Sequence, residues 1–313
     1  MPTRYALLAA LASLYLVWGS TYLAIAVAVR SLPPLLMAGS RFVVAGSLML
    51  LWLRMRGTPL PTMRQWGAAL VVGTLLLLGG NGVVCLVAHA VPSGIVALVI
   101  ACTTLAMVGV GWACGGPRPT PRLAFAILLG LSGVAVLVLH PKSVEVGGAA
   151  VDSYPWWGIA GLLLACLCWA SGSVLSRRLA PAAQISSPWM ATAAQMIAGG
   201  VVVVLAATVH GEWSGLDPSR FTAASVGAWA YLVVGGSMIG FGSYVWLLRN
   251  ASPALATSYG YVNPLVAIVL GAWLNSEPVS GQMLSSAGII IAAVALIATA
   301  PSHTPRVRVG ADD

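Results

Sequence analysis

The polar side chains that could bind a small solute are concentrated around one proline. Pro264 lies inside an apolar run and is preceded by Tyr259, Tyr261 and Asn263. Because proline lacks a backbone N–H, the carbonyl of Gly260 loses its usual helical donor. In a bilayer that carbonyl oxygen must accept a hydrogen bond from another part of the protein, from water or from a ligand. We expect this turn to bend into a cavity, where hydroxyl, ring and amide groups contact a solute. A packing kink with hydrogen bonds between helices is the alternative.

A second group of candidates lies in the middle of the first apolar run. Trp18 and Tyr22 are four residues apart, which places them on one face of a helix, and Thr21 lies beside them. Aromatic residues of a headgroup belt lie near the ends of a span. A mid-span position with a hydroxyl beside it favours the lining of a cavity instead. Trp169 and Ser173 repeat this pattern in the sixth apolar run.

Three more residues are polar groups inside apolar runs. Tyr244 lies one turn beyond a Gly-x-x-x-Gly pair, which we interpret as a packing motif. Asn81 could pair across helices or line the cavity, and the sequence leaves both open. Arg41 is the one charge well inside a span, where burial costs at least ~2.5 kcal/mol. It could extend to the membrane surface, contact a substrate carboxylate, or hold the first half of the chain together.

Composition excludes most function classes. The chain of 313 residues is 59% hydrophobic and 7% charged, whereas a soluble domain carries roughly 25% charged residues. The net charge of +8 comes from basic residues scattered between apolar runs, so we expect no nucleic-acid partner. The cysteines lie in or beside apolar runs without metal-ligand spacing, which predicts neither a disulfide framework nor a metal. No mid-span nucleophile–base pair or nucleotide-binding loop is present, so we expect no enzyme and no cofactor.

The hydropathy pattern predicts ten membrane spans, since each needs ~20 apolar residues. The predicted spans are Tyr5–Val29, Pro34–Leu53, Trp66–Ala88, Pro92–Cys114, Leu123–Leu139, Trp157–Ser176, Pro188–Val209, Ala224–Leu248, Pro253–Leu274 and Gly281–Thr299. With a cytoplasmic N-terminus, eleven basic residues fall in cytoplasmic segments and three on the opposite side. The positive-inside rule therefore predicts that both termini are cytoplasmic.

The two halves of the chain resemble each other. Pro92, Trp112 and Pro117 recur at one constant spacing as Pro253, Trp273 and Pro278. Five spans in each half is an odd number, so the second half would enter the membrane from the opposite side. The sequence predicts an all-α integral membrane protein made of two inverted five-helix repeats, with a binding site between them. The predicted units are residues 5–140 and 156–300, followed by a cytoplasmic tail at 301–313.

These residues together resemble a known family. The segments that carry the likeness are Trp18–Tyr22, Pro33–Phe42, Pro92–Gly94 and, above all, Pro253–Pro264. The chain is similar to the EamA branch of the drug/metabolite transporter superfamily, and within it to the YedA-type inner-membrane exporters. The resemblance implies ten helices around a central cavity and export of amino acids or other small metabolites. Glu277 and Pro278 look like the acidic residue and proline that these proteins carry ahead of the last helix, so Glu277, with Arg41 and Pro264, is a structural or gating candidate.

Two positions depart from the family pattern. Ala88-His89 stands where many members have a Glu-Gln pair, and Thr103 stands where many have proline. If that glutamate couples transport to protons in other members, it cannot do so here.

We therefore expect a multi-pass transporter of the inner membrane that moves small neutral or zwitterionic solutes. A sensor or scaffold that keeps the fold without moving a solute is the alternative. The expected partners are a small-molecule substrate and the lipid bilayer. The sequence is compatible with a monomer and does not decide the oligomeric state, the coupling ion or the direction of transport.

Overall fold

The computed structural model describes residues 4–116, 118–139, 144–146, 149–151, 155–182, 187–251 and 258–299. Within these residues the chain forms ten apolar helical segments, which confirms the expectation of a helical membrane protein, and two short 3-10 helices, Glu212–Gly215 and Pro218–Arg220, between the seventh and the eighth segment. The ten segments are α1 (Arg4–Ala28), α2 (Pro34–Met55), α3 (Met63–Val87), α4 (Ser93–Ala113), α5 (Pro121–Leu139), α6 (Trp156–Ala182), α7 (Pro188–Val209), α8 (Ala223–Tyr231, Leu232–Gly240 and Phe241–Asn250), α9 (Tyr259–Asn275) and α10 (Gly281–Ala298). Seven of them are long and apolar enough to cross a membrane, and the other three are shorter apolar helices.

Local chemistry sets where several helices begin. Thr62 and Gln65 form a capping box at the start of α3, in which each side chain accepts a hydrogen bond from the other residue's backbone N–H. Ser187, Thr222 and Ser280 cap α7, α8 and α10 by accepting a backbone N–H three residues on. These caps lie within a residue or two of the predicted span starts, except at α3, which begins three residues earlier.

Two helices contain a π-helical section in the middle. In α3 it covers Thr74–Gly82, and in α8 it covers Leu232–Gly240. Both sections are rich in glycine, which tolerates the wider backbone turn. A π-helical turn shifts the hydrogen-bond register and leaves carbonyl groups available to other donors.

Helix α4 is interrupted near its centre, at Ala101 and Cys102. The thiol of Cys166 on α6 lies 3.4 Å from the carbonyl oxygen of Val99, just before this break, and 3.9 Å from that of Ile100. A weak sulfur donor thus covers carbonyl groups next to the interruption. The break was not predicted from the sequence.

A short antiparallel hairpin between α5 and α6 is the second unpredicted feature. Its strands are β1 (Val144–Val146) and β2 (Ala149–Val151), with Val144 opposite Val151. Valine favours strands, and the sequence places Gly147 and Gly148 between the two triplets. The hairpin is confined to this loop, and the described fold is otherwise helical as the sequence predicts.

The helices pack mainly across the two halves of the chain rather than within each half. Helix α2 packs along α7, α5 along α10, and α4 along α9. Helix α1 lies against α8 and α9, whereas α6 lies against α3 and α4. The main buried apolar cluster is formed by side chains from both halves.

Four helix-ending residues adopt positive φ angles, and they fall at matching places. Gly57 after α2 has φ +82° and Gly211 after α7 has φ +79°. Gly115 after α4 has φ +84° and Ser276 after α9 has φ +53°. A left-handed residue stops a helix and reverses the chain direction.

Some expectations fall outside the described residues. The predicted tail at 301–313 and the predicted start of the ninth span at Pro253 lie there, as does the side chain of Tyr261. The helix α9 that the structure describes begins at Tyr259.

Candidate functional site

A cavity lies at the centre of the bundle, where helices of both halves meet. Its walls come from α1, α2, α3 and α4 of the first half and from α6, α8 and α9 of the second. The cavity offers about 110 Å³ to the centres of water-sized molecules. Because one water needs roughly 10–15 Å³ on this measure, the space suits a solute of on the order of ten non-hydrogen atoms. The size thus matches a small metabolite.

Trp18 of α1 is positioned by the π-helical section of α8. Its Nε1 donates a hydrogen bond of 3.2 Å to the carbonyl oxygen of Gly236. A Cβ at Gly240 would collide with the same indole ring, so this glycine makes room for the tryptophan. The Gly236–Gly240 pair, which we interpret as a packing motif, packs against the indole ring of Trp18.

The indole of Trp18 is surrounded by other aromatic rings. The ring centroids of Phe241 and Tyr259 lie 5.3 and 5.0 Å away, both edge-to-face. Tyr244 lies 5.4 Å from Trp18 and 5.7 Å from Tyr259. Such pairs fix the orientation of the rings. Trp18, Phe241 and Tyr259 line the cavity, and Tyr244 supports them from behind.

Trp169 of α6 has the corresponding place on the π-helical section of α3. A Cβ at Gly80 would come within 3.0 Å of the Trp169 ring, and one at Gly79 within 2.7 Å of the Cys168 side chain. Trp169 and Gly80 both line the cavity. Each half therefore contributes a tryptophan that rests on a glycine-containing π section of the other half.

Asn263 lies on α9 directly before Pro264, and both line the cavity. The Asn263 side chain is buried, and its Oδ1 has no hydrogen-bond partner among the described residues. A Cβ at Gly260 would come within 2.9 Å of the Thr104 hydroxyl on α4, so the glycine permits close approach of the two helices. A buried carbonyl oxygen without a hydrogen-bond donor lowers the stability of the fold unless a ligand or water donates to it.

Arg41 of α2 is only 2% exposed and also lines the cavity. Its Nη2 donates to Oδ1 of Asn81, which lies on the π-helical section of α3. Its Nε has no hydrogen-bond partner among the described residues. The structure therefore excludes the reading in which this arginine extends to the membrane surface.

Most residues proposed from the sequence meet at this one cavity, although their roles in binding stay predictions. The proposed residues found in its walls are Trp18, Thr21, Tyr22, Arg41, Asn81, Trp169, Tyr259, Asn263 and Pro264. Three others do not line it, namely Ser173, Tyr244 and Glu277. Thr21 donates to the carbonyl oxygen of Val17 at 2.7 Å, so its hydroxyl offers mainly an acceptor to a solute.

Sequence reasoning missed several lining residues, among them Thr103, Thr104, Met107, Ser237 and Phe241. The two threonines follow the break in α4, and a Thr-Thr pair in an apolar run was an available signal. The aromatic ring of Phe241 gave no such signal, because Phe is common in apolar spans.

Glu277 has a structural position at one end of the bundle. Its Oε2 accepts hydrogen bonds from the Ser93 hydroxyl at 2.9 Å and the Gly94 N–H at 3.3 Å, at the start of α4. Its Oε1 accepts from Asn275, and Asn275 in turn accepts from Arg30 of the α1–α2 link. The carboxylate thus joins the α9–α10 link to two parts of the first half.

Glu212 makes a similar junction that the sequence did not indicate. Both its carboxylate oxygens accept from the Leu35 N–H, at 3.1 and 3.0 Å, and Oε2 also accepts from the Leu36 N–H at 2.9 Å. These are free N–H groups in the first turn of α2, where a negative charge is favoured by the helix dipole. The link before α8 also meets the α1–α2 link, since the Thr222 N–H donates to Ser31. Glu212 and Glu277 therefore hold the same end of the bundle.

Among the described residues, no group of three or more His, Cys, Asp or Glu side chains could hold a metal ion. The chemistry that the cavity offers is recognition by hydrogen bonds, aromatic rings and one cation.

The arrangement can be compared with known proteins. The family model described as "EamA-like transporter family" matches residues 3–139 and again 156–299. The chain belongs to the EamA-like transporter family. The resemblance seen in the sequence is therefore confirmed.

Relatives of this EamA protein are named as transporters. It is 40% identical over 293 residues to the "Uncharacterized inner membrane transporter YedA" of Escherichia coli (strain K12), covering 93% of this chain and 90% of that protein. It is 22% identical over 284 residues to the "Probable amino-acid metabolite efflux pump" of Salmonella typhimurium, covering 88% and 89%. A solved crystal structure aligns with a TM-score of 0.61 at 20% identity, over 94% of this chain and 96% of that one. That likeness concerns the fold alone.

Proposed function

We propose that this EamA protein is a secondary transporter that exports small neutral or zwitterionic metabolites, such as amino acids, by alternating access. The observation that carries the proposal is a polar and aromatic cavity, with walls from both halves, inside an otherwise apolar bundle. Its size fits a small solute, and two buried polar side chains in its walls have unmet hydrogen-bonding atoms. In this proposal the chain performs no catalysis.

The proposed architecture is two inverted repeats of five spans, α1–α5 and α6–α10. The pattern of helix contacts supports it, because exchanging the two halves maps the main contacts onto one another. Pairs α2–α7, α4–α9 and α5–α10 map onto themselves, and α1–α8 and α1–α9 map onto α6–α3 and α6–α4. An inverted repeat gives two related arrangements of similar energy, each open to one side.

Local backbone features support the same relation. The π-helical sections fall in the third helix of each half, and the left-handed residues follow the second and fourth helices of each half. These features depend on backbone geometry rather than on composition. They are therefore evidence for the repeat that is independent of the repeated Pro and Trp residues.

We infer that both termini are cytoplasmic and that the protein lies in the inner membrane, as the name of the YedA relative indicates for that protein. The ends of α2 and α7 near Arg54 and Glu212 then lie on opposite sides, with the arginine-rich side facing the cytoplasm. In this orientation Glu212 and Glu277 hold the outer end of the bundle.

The inner end lacks the matching carboxylates. By the relation between the halves, Thr58 stands where Glu212 does and Gly116 where Glu277 does, each directly after the left-handed residue. A second cavity of about 130 Å³ lies between the α2–α3 link and the start of α7, with Thr58 and Gln195 in its walls. The described contacts across the halves at the inner end include hydrogen bonds to neutral acceptors, from Arg122 to Thr299 and from Arg178 to the Cys114 carbonyl oxygen. The carboxylate contacts therefore support a state that is held more firmly on the outer side.

Solute counterflow in proteoliposomes tests the function. Vesicles containing the purified protein and an unlabelled L-amino acid should accumulate the same labelled amino acid from outside, for at least one member of a panel. Asn263→Leu removes a polar wall of the cavity and should abolish exchange, whereas Asn250→Leu changes an exposed residue at the end of α8 and should leave it intact. A protein that exchanges no solute would instead be a sensor or scaffold with this fold.

A further inference from the structure

We infer that Arg41 binds the carboxylate of the transported solute, so that the substrates are small carboxylates, amino acids in particular, rather than uncharged solutes or amines. The inference rests on the proposed function and narrows it. It assigns recognition of the substrate carboxylate to one side chain, Arg41, which has a hydrogen-bond donor available for an anion.

The guanidinium of Arg41 is buried with donors to spare. A guanidinium carries five N–H donors in a planar fork. Arg41 uses Nη2 for Asn81, while Nε is buried without a partner among the described residues. The side chain lines the central cavity at 2% exposure. Planar donors of this kind match the two oxygens of a carboxylate.

Among the residues that the structure describes, no acidic side chain forms an ion pair with Arg41. The acidic residues whose side chains the structure describes are Glu212, Asp217 and Glu277, and they lie in the links between the membrane helices. The ion pairs in the described part of the chain, His210–Glu212 and Arg220–Asp217, are both in the α7–α8 link. Asn81 contributes a neutral amide. A buried cation without a counter-charge is unfavourable inside a membrane protein, so an entering anion is stabilised at this position.

A purely structural role does not require this charge. The position related to Arg41 in the second half is Gln195, an uncharged side chain whose Nε2 donates a hydrogen bond of 3.4 Å to the Ser176 hydroxyl of α6. Packing of the second half is therefore achieved with an amide. The arginine is retained on the side of the fold where it reaches the central cavity.

The cavity also offers an acceptor for the opposite end of a zwitterion. The unpaired Oδ1 of Asn263 on α9 could accept a hydrogen bond from an ammonium group. Arg41 belongs to the first half and Asn263 to the second, with Trp18 and Tyr259 as apolar walls. A solute that joined the two side chains would contact both halves at once, which links its binding to their relative movement.

Paired solutes test the inference on the full-length protein in detergent. Each L-amino acid is compared with its own carboxamide, which keeps the ammonium and the side chain but lacks the negative charge. Binding is measured as solute-dependent thermal stabilisation. For every pair that binds, we expect the carboxylate to reach half-saturation at a concentration about tenfold or more below that of the amide.

Variants of Arg41 then assign the preference to its charge. In Arg41→Gln the ratio between carboxylate and amide should fall about tenfold or more, whereas Arg41→Lys should keep part of it. Arg220→Gln removes an exposed arginine from the α7–α8 link and should keep the full ratio. The wild-type comparison decides the question even if Arg41→Gln does not fold.

Two results would overturn the inference. Amides that bind as well as carboxylates to the wild-type protein would contradict it, and so would an unchanged ratio in a folded Arg41→Gln variant; in either case counterflow of amino acids would leave the proposed function standing. If the wild-type protein neither binds nor exchanges any member of the panel, the inference and the proposed function fail together.

Discussion

Single residues decide how the two tryptophans of the cavity are held. Trp18 rests on α8 because Gly236 offers a carbonyl oxygen and Gly240 offers space. Gly240 thus determines the position of a residue in the cavity wall, although it has no side chain of its own to bind a solute.

Gly240→Ala should therefore destabilise the protein. The new methyl group would overlap the Trp18 indole, and overpacking of this kind costs about 1–3 kcal/mol. Gly227→Ala in the same helix is the matched control, because a Cβ there meets nothing within 4 Å. Thermal unfolding of both variants in detergent checks the difference, and equal midpoints would show that the indole does not occupy this place.

At this scale the sequence predicted residue types better than contacts. Trp18, Asn81 and Asn263 could be chosen because polar or aromatic groups in the middle of apolar runs need a reason to be there. Which of them touch each other depends on how the helices cross. The close approach of Thr104 to Gly260 is an example, because nothing in the sequence of either apolar run indicates that these two residues are neighbours.

Two helices are held at one end of the bundle by carboxylates that accept hydrogen bonds from the free N–H groups of their first turns. Glu212 accepts bonds from the first turn of α2, and Glu277 accepts bonds from the first turn of α4. A proline lies at each of these helix starts, Pro34 at the first position of α2 and Pro92 directly before α4. Its restricted φ angle favours a helix start at that residue, next to the N–H groups that the carboxylate binds. Each carboxylate comes from the other half of the chain.

Glu212→Ala should lower stability by about 1–2 kcal/mol, because the N–H groups of Leu35 and Leu36 lose their acceptor and the favourable charge. Asp217→Ala is the control. Its carboxylate bonds to Ser219 and forms an exposed ion pair with Arg220, both within its own turn. Hydrogen exchange should show faster opening of the α2 start in the first variant alone; similar exchange in both would remove Glu212 from this role.

The helices themselves were largely predictable, and their internal irregularities were not. Span α7 was predicted at Pro188–Val209 as observed, since Pro188 starts it and a long apolar run defines it. The π-helical sections of α3 and α8 and the break in α4 lie inside continuous apolar runs, so hydropathy alone does not reveal them. They occur at contacts with other helices, such as that of the Gly236 carbonyl with Trp18 and that of the Val99 carbonyl with Cys166.

At the scale of the whole molecule, the proposed transport cycle needs a cavity that opens to one side of the membrane at a time. In the proposed orientation, two cross-half carboxylate contacts lie at the outer end, and Thr58 and Gly116 stand at the corresponding positions of the inner end. The bias between the two states should therefore depend on Glu212 and Glu277. Removing both ties should increase the time that the cavity spends open to the outside.

Sided labelling of a cavity cysteine tests this most directly. In a background with exposed Cys114 replaced by serine, Thr104→Cys is treated with a membrane-impermeant thiol reagent in right-side-out or inside-out vesicles. We expect faster labelling from the cytoplasmic side, slower labelling when a transported amino acid is present, and a marked rise in outer labelling after Glu212→Gln and Glu277→Gln are combined. A cysteine that reacts from neither side, or equally from both sides with and without those changes, would contradict alternating access at this cavity.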